Sequence, residues 1–287
     1  MARESYVGRF APSPTGPLHF GSLVTALASY LDARHNQGVW LLRIEDLDPP
    51  RESRRASKEI ITQLHSFGLC WDQEVIYQSS RIDSYHDHLK YLSEKGATYP
   101  CTCSRKKTPP IYPGLCRHNT FDSVFNPYSI RLHVDELQIE FRDLFYGIKS
   151  YDSRTEIGDF IIRRKDGLIA YQLAVIADDA FQGITHIIRG SDLLDSTAKQ
   201  ILLAKQLSLV IPSYGHIPVV VNNQGKKLSK QTHASPIDNS SPLTMLRLAL
   251  KALGQDPQIL AKNTKKLLTN AVNNWERSLV PMKNYIY

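Results

Sequence analysis

The polar and apolar positions of the first ninety or so residues alternate between two periods. Ser5-Tyr6-Val7-Gly8-Arg9-Phe10 alternates as a strand does, and the segment Ala11-Pro12-Ser13-Pro14-Thr15-Gly16-Pro17 then breaks the pattern. From Gly21 onward, Leu23, Ala26, Leu27, Tyr30 and Leu31 recur at helical spacing. Val39-Trp40-Leu41-Leu42-Arg43-Ile44 reads as a short strand buried on both faces, and Ile60, Ile61, Leu64 and Phe67 mark a second amphipathic helix. Strand, helix, strand, helix predicts βαβ units in a parallel sheet with right-handed crossovers.

That rhythm fails between about Thr98 and Glu156, where Pro100, Pro109, Pro110, Pro113 and Pro127 fall together with three cysteines. It returns with Leu168 to Ile176, Ile184 to Arg189 and a helix from about Ser191 to Leu209. After Ile217 to Val221, the turn Asn222-Asn223-Gln224-Gly225 leads into helical periods through Leu243, Leu246 and Leu250. The expected organisation is the first half of an α/β domain at 1–97, an insertion at 98–156, the second half at 157–213, and a basic helical region at 214–287.

Composition narrows the class without naming it. At 42% hydrophobic and 22% charged the chain is globular, neither disordered nor fibrous. No apolar run reaches the roughly 18 residues that cross a bilayer, and the opening residues carry no signal-like apolar stretch. A cytoplasmic monomer with no membrane contact is expected. Disulfides are not expected there, so Cys101, Cys103 and Cys116 call for another explanation, while Cys70 reads as a small buried apolar residue. The net charge is +7, and ten basic and three acidic residues in 222–287 account for all of it. Such an end suits phosphate-rich partners.

Two segments carry candidate chemistry. His19-Phe20-Gly21-Ser22 stands where a Pro/Gly-rich turn meets a helix, and a helix N-terminus receives anions through its unpaired N–H groups. Gly21 lacks a Cβ and lets a base or ribose approach. Lys226-Lys227-Leu228-Ser229-Lys230 follows a strand and a turn, and lysines on such a loop can gather around a triphosphate. Each alone is a weak signal.

Together, Pro12-Ser13-Pro14-Thr15-Gly16-Pro17-Leu18-His19-Phe20-Gly21-Ser22 and Lys227-Leu228-Ser229-Lys230-Gln231 resemble the paired signatures of class I aminoacyl-tRNA synthetases. The resemblance narrows to the glutamyl and glutaminyl group through Arg9-Phe10-Ala11-Pro12-Ser13, Leu42-Arg43-Ile44-Glu45-Asp46-Leu47-Asp48, Tyr171 to Asp179, and Ile187 to Leu194. It implies an α/β fold: a Rossmann-like parallel sheet with a zinc-containing insertion and a small helical C-terminal region. It implies ATP contacts from His19, Gly21, Ser22, Lys227, Ser229 and Lys230, of which His19, Lys227 and Lys230 act catalytically with Mg²⁺ on the phosphates. Glutamate falls to Arg9, Ala11, Pro12, Ser13, Glu45, Tyr171 and Arg189. The resemblance assigns Arg9 and Arg189 to the substrate carboxylates, which a planar guanidinium can bind in bidentate fashion, and Glu45 to the ammonium. The plainer alternative is that Arg9 and Glu45 pair with one another at adjacent strand ends. Val175 stands where many relatives have an Asn that lines the pocket. Asp178 and Asp179 read as structural.

Thiolates in a Pro-rich segment with little core suggest a structural zinc. Imidazole is the common partner of thiolate, which nominates His118 as fourth ligand. The family pattern, Cys-x-Cys followed by Tyr-x3-Cys, nominates Tyr112 beside Cys101, Cys103 and Cys116. Only 56 residues follow Gln231, too few for the anticodon-binding region of a full glutamyl-tRNA synthetase. This shortened form resembles the glutamyl-Q tRNA(Asp) synthetases. That resemblance implies activation of L-glutamate by ATP and its transfer to the queuosine base of tRNA(Asp). The rival readings are a minimal synthetase that charges a tRNA 3′ end and a non-catalytic zinc protein that binds RNA. With Lys226, Lys227 and Lys230 assigned to ATP, the expected RNA-facing set is Arg247, Lys251, Lys262, Lys265, Lys266, Arg277 and Lys283.

Overall fold

A computed structural model describes residues 5–104, 108–118, 127–228 and 235–287. Val7–Phe10 forms β1, Phe20–His35 α1, Val39–Ile44 β2, Arg54–Ser66 α2, Ile76–Tyr77 β3 and Ile82–Glu94 α3. Thr98–Cys101 (β4), Ser129–Leu132 (β5), Gln138–Asp143 (β6), Gly147–Asp152 (β7) and Ile161–Arg163 (β8) follow. The chain then runs through Tyr171–Phe181 (α4), His186–Gly190 (β9), Leu194–Gln206 (α5), Ser213–Ile217 (β10) and Val220–Val221 (β11). It closes with Pro242–Ala252 (α6), Thr264–Asn273 (α7) and Tyr285–Ile286 (β12).

Five strands, in the order β10-β9-β1-β2-β3, make one parallel sheet. The chain builds outward from β1 to β2 and β3, then crosses to the other side of β1 for β9 and β10. Strand order therefore reverses at β1/β9, and a cleft opens at the carboxyl ends of those strands. The apolar run of Val39–Ile44 is buried on both faces as its composition predicts, with Trp40, Leu42 and Ile44 fully enclosed. One core packs α1, α2, α6 and α7 against one face of the sheet, and a second packs α3, α4 and α5 against the other.

The residues between α3 and α4 form an antiparallel sheet, β4-β5-β8, and a hairpin, β6-β7. The sheet continues past Glu156, since β8 pairs with β5. Cys70 is exposed, and Leu69 beside it takes the buried position, which corrects the reading of Cys70 as a core residue.

The C-terminal region is tied to the body by a buried carboxylate. Asp32, on α1 and fully buried, accepts from the Tyr6 hydroxyl, from Trp275 Nε1 at 2.9 Å and from Arg277 Nε at 2.7 Å. Arg247 donates to the carbonyls of Pro257 and Ile259. Two arginines of the expected RNA-facing set are thus structural, while Lys251, Lys262, Lys265, Lys266 and Lys283 are exposed. Replacing Asp32 by Ala leaves three donors without an acceptor, and should cost about 3 kcal/mol. Urea unfolding followed by tryptophan fluorescence would measure it, and a loss under 1 kcal/mol would contradict the role of this clamp.

Candidate active site

A cavity of about 860 Å³ opens at the switch point, and most of the expected site residues line it: Arg9, Ala11, Pro12, Ser13, His19, Gly21, Ser22, Glu45, Tyr171, Arg189 and Lys227. Each arrives from the end of an element. Arg9 lies near the carboxyl end of β1, Glu45 directly after β2, Arg189 near the end of β9, and Tyr171 at the first turn of α4. Ser229 and Lys230 lie outside the described residues.

At one end of the cavity His19 is the N-cap of α1. Its Nδ1 accepts from the backbone N–H of Ser22 at 3.2 Å, and its Nε2 lies 3.1 Å from Ser22 Oγ. A Cβ at Gly21 would come within 3.2 Å of the His19 ring, so this position keeps ring and helix start together. Across the cavity, Asn222 Oδ1 accepts from the N–H groups of Gln224 and Lys226, and Gly225, at φ +74°, completes the turn. That turn presents Lys227, whose Nζ is 2.5 Å from Asp192 Oδ2.

At the other end the charges are buried. Arg9 Nε donates to Asp179 at 3.1 Å, and Arg43 Nη2 reaches the same carboxylate at 2.8 Å. Arg43 also lies 3.4 Å from Glu45 and 3.8 Å from Asp178. Arg9 and Glu45 are therefore not each other's partners: Asp179 takes the first and Arg43 the second. Burial works against ionisation of Asp179, but Arg9 and Arg43 hold it below the ordinary carboxylate range. Burial raises the Glu45 carboxyl, with Arg43 and Arg9 pulling the other way. Asp178 accepts from Gln78, Arg81 and the Tyr85 hydroxyl, which joins α3 to α4. Val175 is fully buried in the second core.

Arg43 and Asp192 were not among the expected site residues. Arg43 carried a signal, because a charge inside a strand buried on both faces must find partners. Nothing local in the sequence marks Asp192 as the partner of Lys227, 35 residues away.

The cysteines meet far from the cavity. The Sγ atoms of Cys101, Cys103 and Cys116 lie within 4.8 Å of one another. The Tyr112 hydroxyl is 3.5 Å from Cys101 Sγ and 3.4 Å from Cys103 Sγ, and Cys103 and Cys116 are 3.5 Å apart. Ligands about 2.3 Å from a tetrahedral zinc stand about 3.8 Å apart, so the four donors are near that spacing. His118 is exposed and outside the cluster. Arg131 stacks over the Tyr112 ring at 3.7 Å and donates to Cys101 Sγ at 3.2 Å. Burial alone would raise the Cys101 thiol, yet hydrogen bonds from Tyr112 and Arg131 bring it down to about 7.

The parallel sheet, its reversal at β1/β9, and a cavity with a helix N-terminus at one end and Arg9 and Arg189 at the other define a class I synthetase catalytic domain. Residues 6–108 and 117–250 match the family described as tRNA synthetases class I (E and Q), catalytic domain. The chain is 48% identical over 283 residues to the glutamyl-Q tRNA(Asp) synthetase of Pseudomonas fluorescens, spanning 97% of this chain and 94% of that one. It is 44% identical over 288 residues to the Escherichia coli K12 protein of the same name, spanning 98% and 92%. The chain belongs to the glutamyl-Q tRNA(Asp) synthetase family. Among solved structures, a glutamate tRNA ligase from Elizabethkingia meningosepticum, in complex with its amino acid, superposes with a TM-score of 0.82. Its identity is 24%, with coverage of 99% of this chain and 67% of that one, and it shares the fold.

The buried cluster predicts a pH dependence. The folded Asp179 carboxyl sits below its ordinary value of 3.8, so its stabilisation is complete above that value and is lost as pH falls through the depressed one. Asp179→Asn should cost about 3 kcal/mol at pH 7. The difference from the parent should shrink in urea titrations below the ordinary aspartate value. A difference constant down to pH 2 would contradict the assignment.

Proposed function

We propose that the protein activates L-glutamate with ATP and transfers it to the queuosine base of tRNA(Asp). The observation that carries this reading is one cavity lined by the start of α1, the Lys227 turn and two arginines, Arg9 and Arg189. Family membership supplies the acceptor: the relatives quoted above bear the name of that activity.

In the first step an α-carboxylate oxygen of glutamate attacks the α-phosphorus of ATP, and pyrophosphate leaves with its Mg²⁺. Arg9 and Arg189 hold the two substrate carboxylates, and Glu45 accepts from the ammonium. Ser13 and Tyr171 add supporting contacts, and the backbone of Ala11 and Pro12 forms the adjoining wall. His19, Gly21 and Ser22 receive the nucleotide, while Lys227, with Ser229 and Lys230, offsets charge on the leaving phosphates. In this reading Lys227 exchanges Asp192 for phosphate when ATP enters. In the second step a hydroxyl of the queuosine cyclopentenediol attacks the activated carbonyl carbon. Its proton passes to solvent, and AMP leaves. Positioning and electrostatics suffice, with no covalent enzyme intermediate.

Residues 1–97 and 157–213 form the catalytic domain in this scheme, 98–156 the zinc-bearing insertion, and 214–287 the signature loop and basic region. The exposed lysines 251, 262, 265, 266 and 283 face the RNA phosphates. Cys101, Cys103, Tyr112 and Cys116 hold a structural zinc. A zinc ion bound there would displace the proton that the Cys101 thiol otherwise donates to the Tyr112 oxygen. Among the described residues no helix is long and apolar enough to cross a membrane.

Glutamate transfer to tRNA(Asp) with and without queuosine tests the function. Incorporation only into the queuosine-containing RNA is expected, alongside glutamate-dependent pyrophosphate exchange into ATP. Equal incorporation into both RNAs would instead make this a minimal synthetase acting at the 3′ end. Absence of exchange would leave a binding protein. For the metal, Cys101→Ser should lose zinc and Tyr112→Phe should hold it more weakly against a chelator. Unchanged retention in Tyr112→Phe, with loss in His118→Ala, would move the fourth ligand to His118.

A further inference from the structure

Arg189 is held differently from Arg9. Where Arg9 faces the Asp179 carboxylate, Arg189 donates only to uncharged groups. Its Nε reaches His216 Nε2 at 3.0 Å, and one terminal nitrogen reaches Thr197 Oγ1 at 2.7 Å and the Leu193 carbonyl at 3.4 Å. The other reaches the Tyr171 hydroxyl at 3.5 Å. Among the described residues no carboxylate is paired with it.

His216 and Thr197 have no exposed surface. His216 Nδ1 lies 2.5 Å from Asp143 Oδ2. The other oxygen of Asp143 is occupied, because it accepts from the backbone N–H groups of Phe145 and Tyr146 at 2.9 Å each, and of His216 at 3.3 Å. Burial favours a neutral His216 imidazole. For Asp143 burial works the other way, but the His216 bond and the backbone donors keep its carboxyl below the ordinary range. A neutral imidazole has one proton. Asp143 can only accept, so that proton lies on Nδ1, and Nε2 offers its lone pair to Arg189.

We infer that Asp143 and His216 are positioning residues of the glutamate site, in which Asp143 fixes the His216 tautomer that accepts from Arg189 and so aims an unshared guanidinium charge at a substrate carboxylate. The inference rests on the reading that Arg189 receives such a carboxylate. A carboxylate in the place of His216 would compete with the substrate for that charge, whereas an imidazole orients the guanidinium and leaves the charge to the ligand.

Asp143 closes β6, a strand of the segment between α3 and α4, so that segment is linked to the pocket through His216 and Arg189. The hairpin is locked to the catalytic sheet beside it. The Leu144 N–H donates to the Tyr214 carbonyl at 2.9 Å, and the Phe145 ring lies over Gly215, where a Cβ would come within 2.7 Å of it.

The test is Asp143→Asn. Its amide oxygen stays with the three backbone donors, which turns its NH₂ toward Nδ1 and drives the proton to Nε2. Two N–H groups then face each other between His216 and Arg189. The same logic governs the aspartate behind a catalytic histidine in serine proteases. In glutamate-dependent pyrophosphate exchange, KM for glutamate should rise about tenfold or more while KM for ATP stays within about twofold. In His216→Gln, where no tautomer remains to be set, adding Asp143→Asn should change KM for glutamate little further. Nitrogen-15 NMR of the parent protein should find His216 protonated at Nδ1. An Nε2–H form in the parent, or equal rises in both KM values, would overturn the inference whether or not the variant folds well. Arg189→Lys separates the two levels. If it leaves KM for glutamate unchanged, the role of Arg189 fails and this inference with it. If it raises that KM and Asp143→Asn does not, only the positioning role fails.

Discussion

A buried arginine must find carboxylates, and Arg43, with none of its surface exposed, lies against Asp178, Asp179 and Glu45. Those contacts join the strand that carries Glu45 to the helix that begins at Tyr171. Asp179 also turns to Arg9 on the central strand, so one carboxylate holds two neighbouring elements of the pocket floor. Buried pairs of this kind add little net stability over apolar packing, but breaking one leaves an uncompensated charge. The cluster therefore acts by penalising every arrangement in which β1, β2 and α4 do not meet, and the pocket inherits its shape from that penalty.

The same device recurs wherever a segment is added to the sheet. Asp32 clamps Trp275 and Arg277 onto α1, and Asp143 ties the β6-β7 hairpin to β10. Asp159 accepts from the Tyr99 hydroxyl, from Arg117 and from the Val134 N–H, which folds the cysteine segment back on its own sheet. Each of these carboxylates is almost fully enclosed. An aspartate is short enough to reach only donors that are already close, so it selects a geometry as well as a partner. The cysteine segment has the smallest apolar cluster of the three, and there a metal would add to what Asp159 provides.

What could be read from the sequence follows from how local each signal is. Val39–Ile44 and the helices around Leu23 and Ile60 come from periodicity over a few turns, and the structure places them within a residue or several of expectation. The signature segments were legible because residue types and spacing sit within eleven residues, and of their described residues His19, Gly21, Ser22, Lys227 and Leu228 line one cavity. Partner choice was not legible. Asp179 lies 170 residues from Arg9, and His216 lies 73 from Asp143, so no window of sequence holds both members. Cys70 went astray for a related reason: Phe67, Leu69 and Cys70 are similar in apolar character, and only the turn at Gly68 decides which of them point inward.

The positive charge of the last third divides by the same test of what lies nearby. Lys226 and Lys227 reach the cavity, where Lys227 pairs with the Asp192 carboxylate. Arg247 and Arg277 are spent inside the fold, on two carbonyls and on Asp32. The exposed lysines remain, three of them on or beside α7. That region is also braced against the end of the pocket where α1 begins. β12 pairs with β11, which leads into the lysine turn, and the Tyr287 ring stacks at 4.1 Å on Phe20, the residue after His19. The basic end is thus packed into the body beside the start of α1 as well as carrying exposed charge.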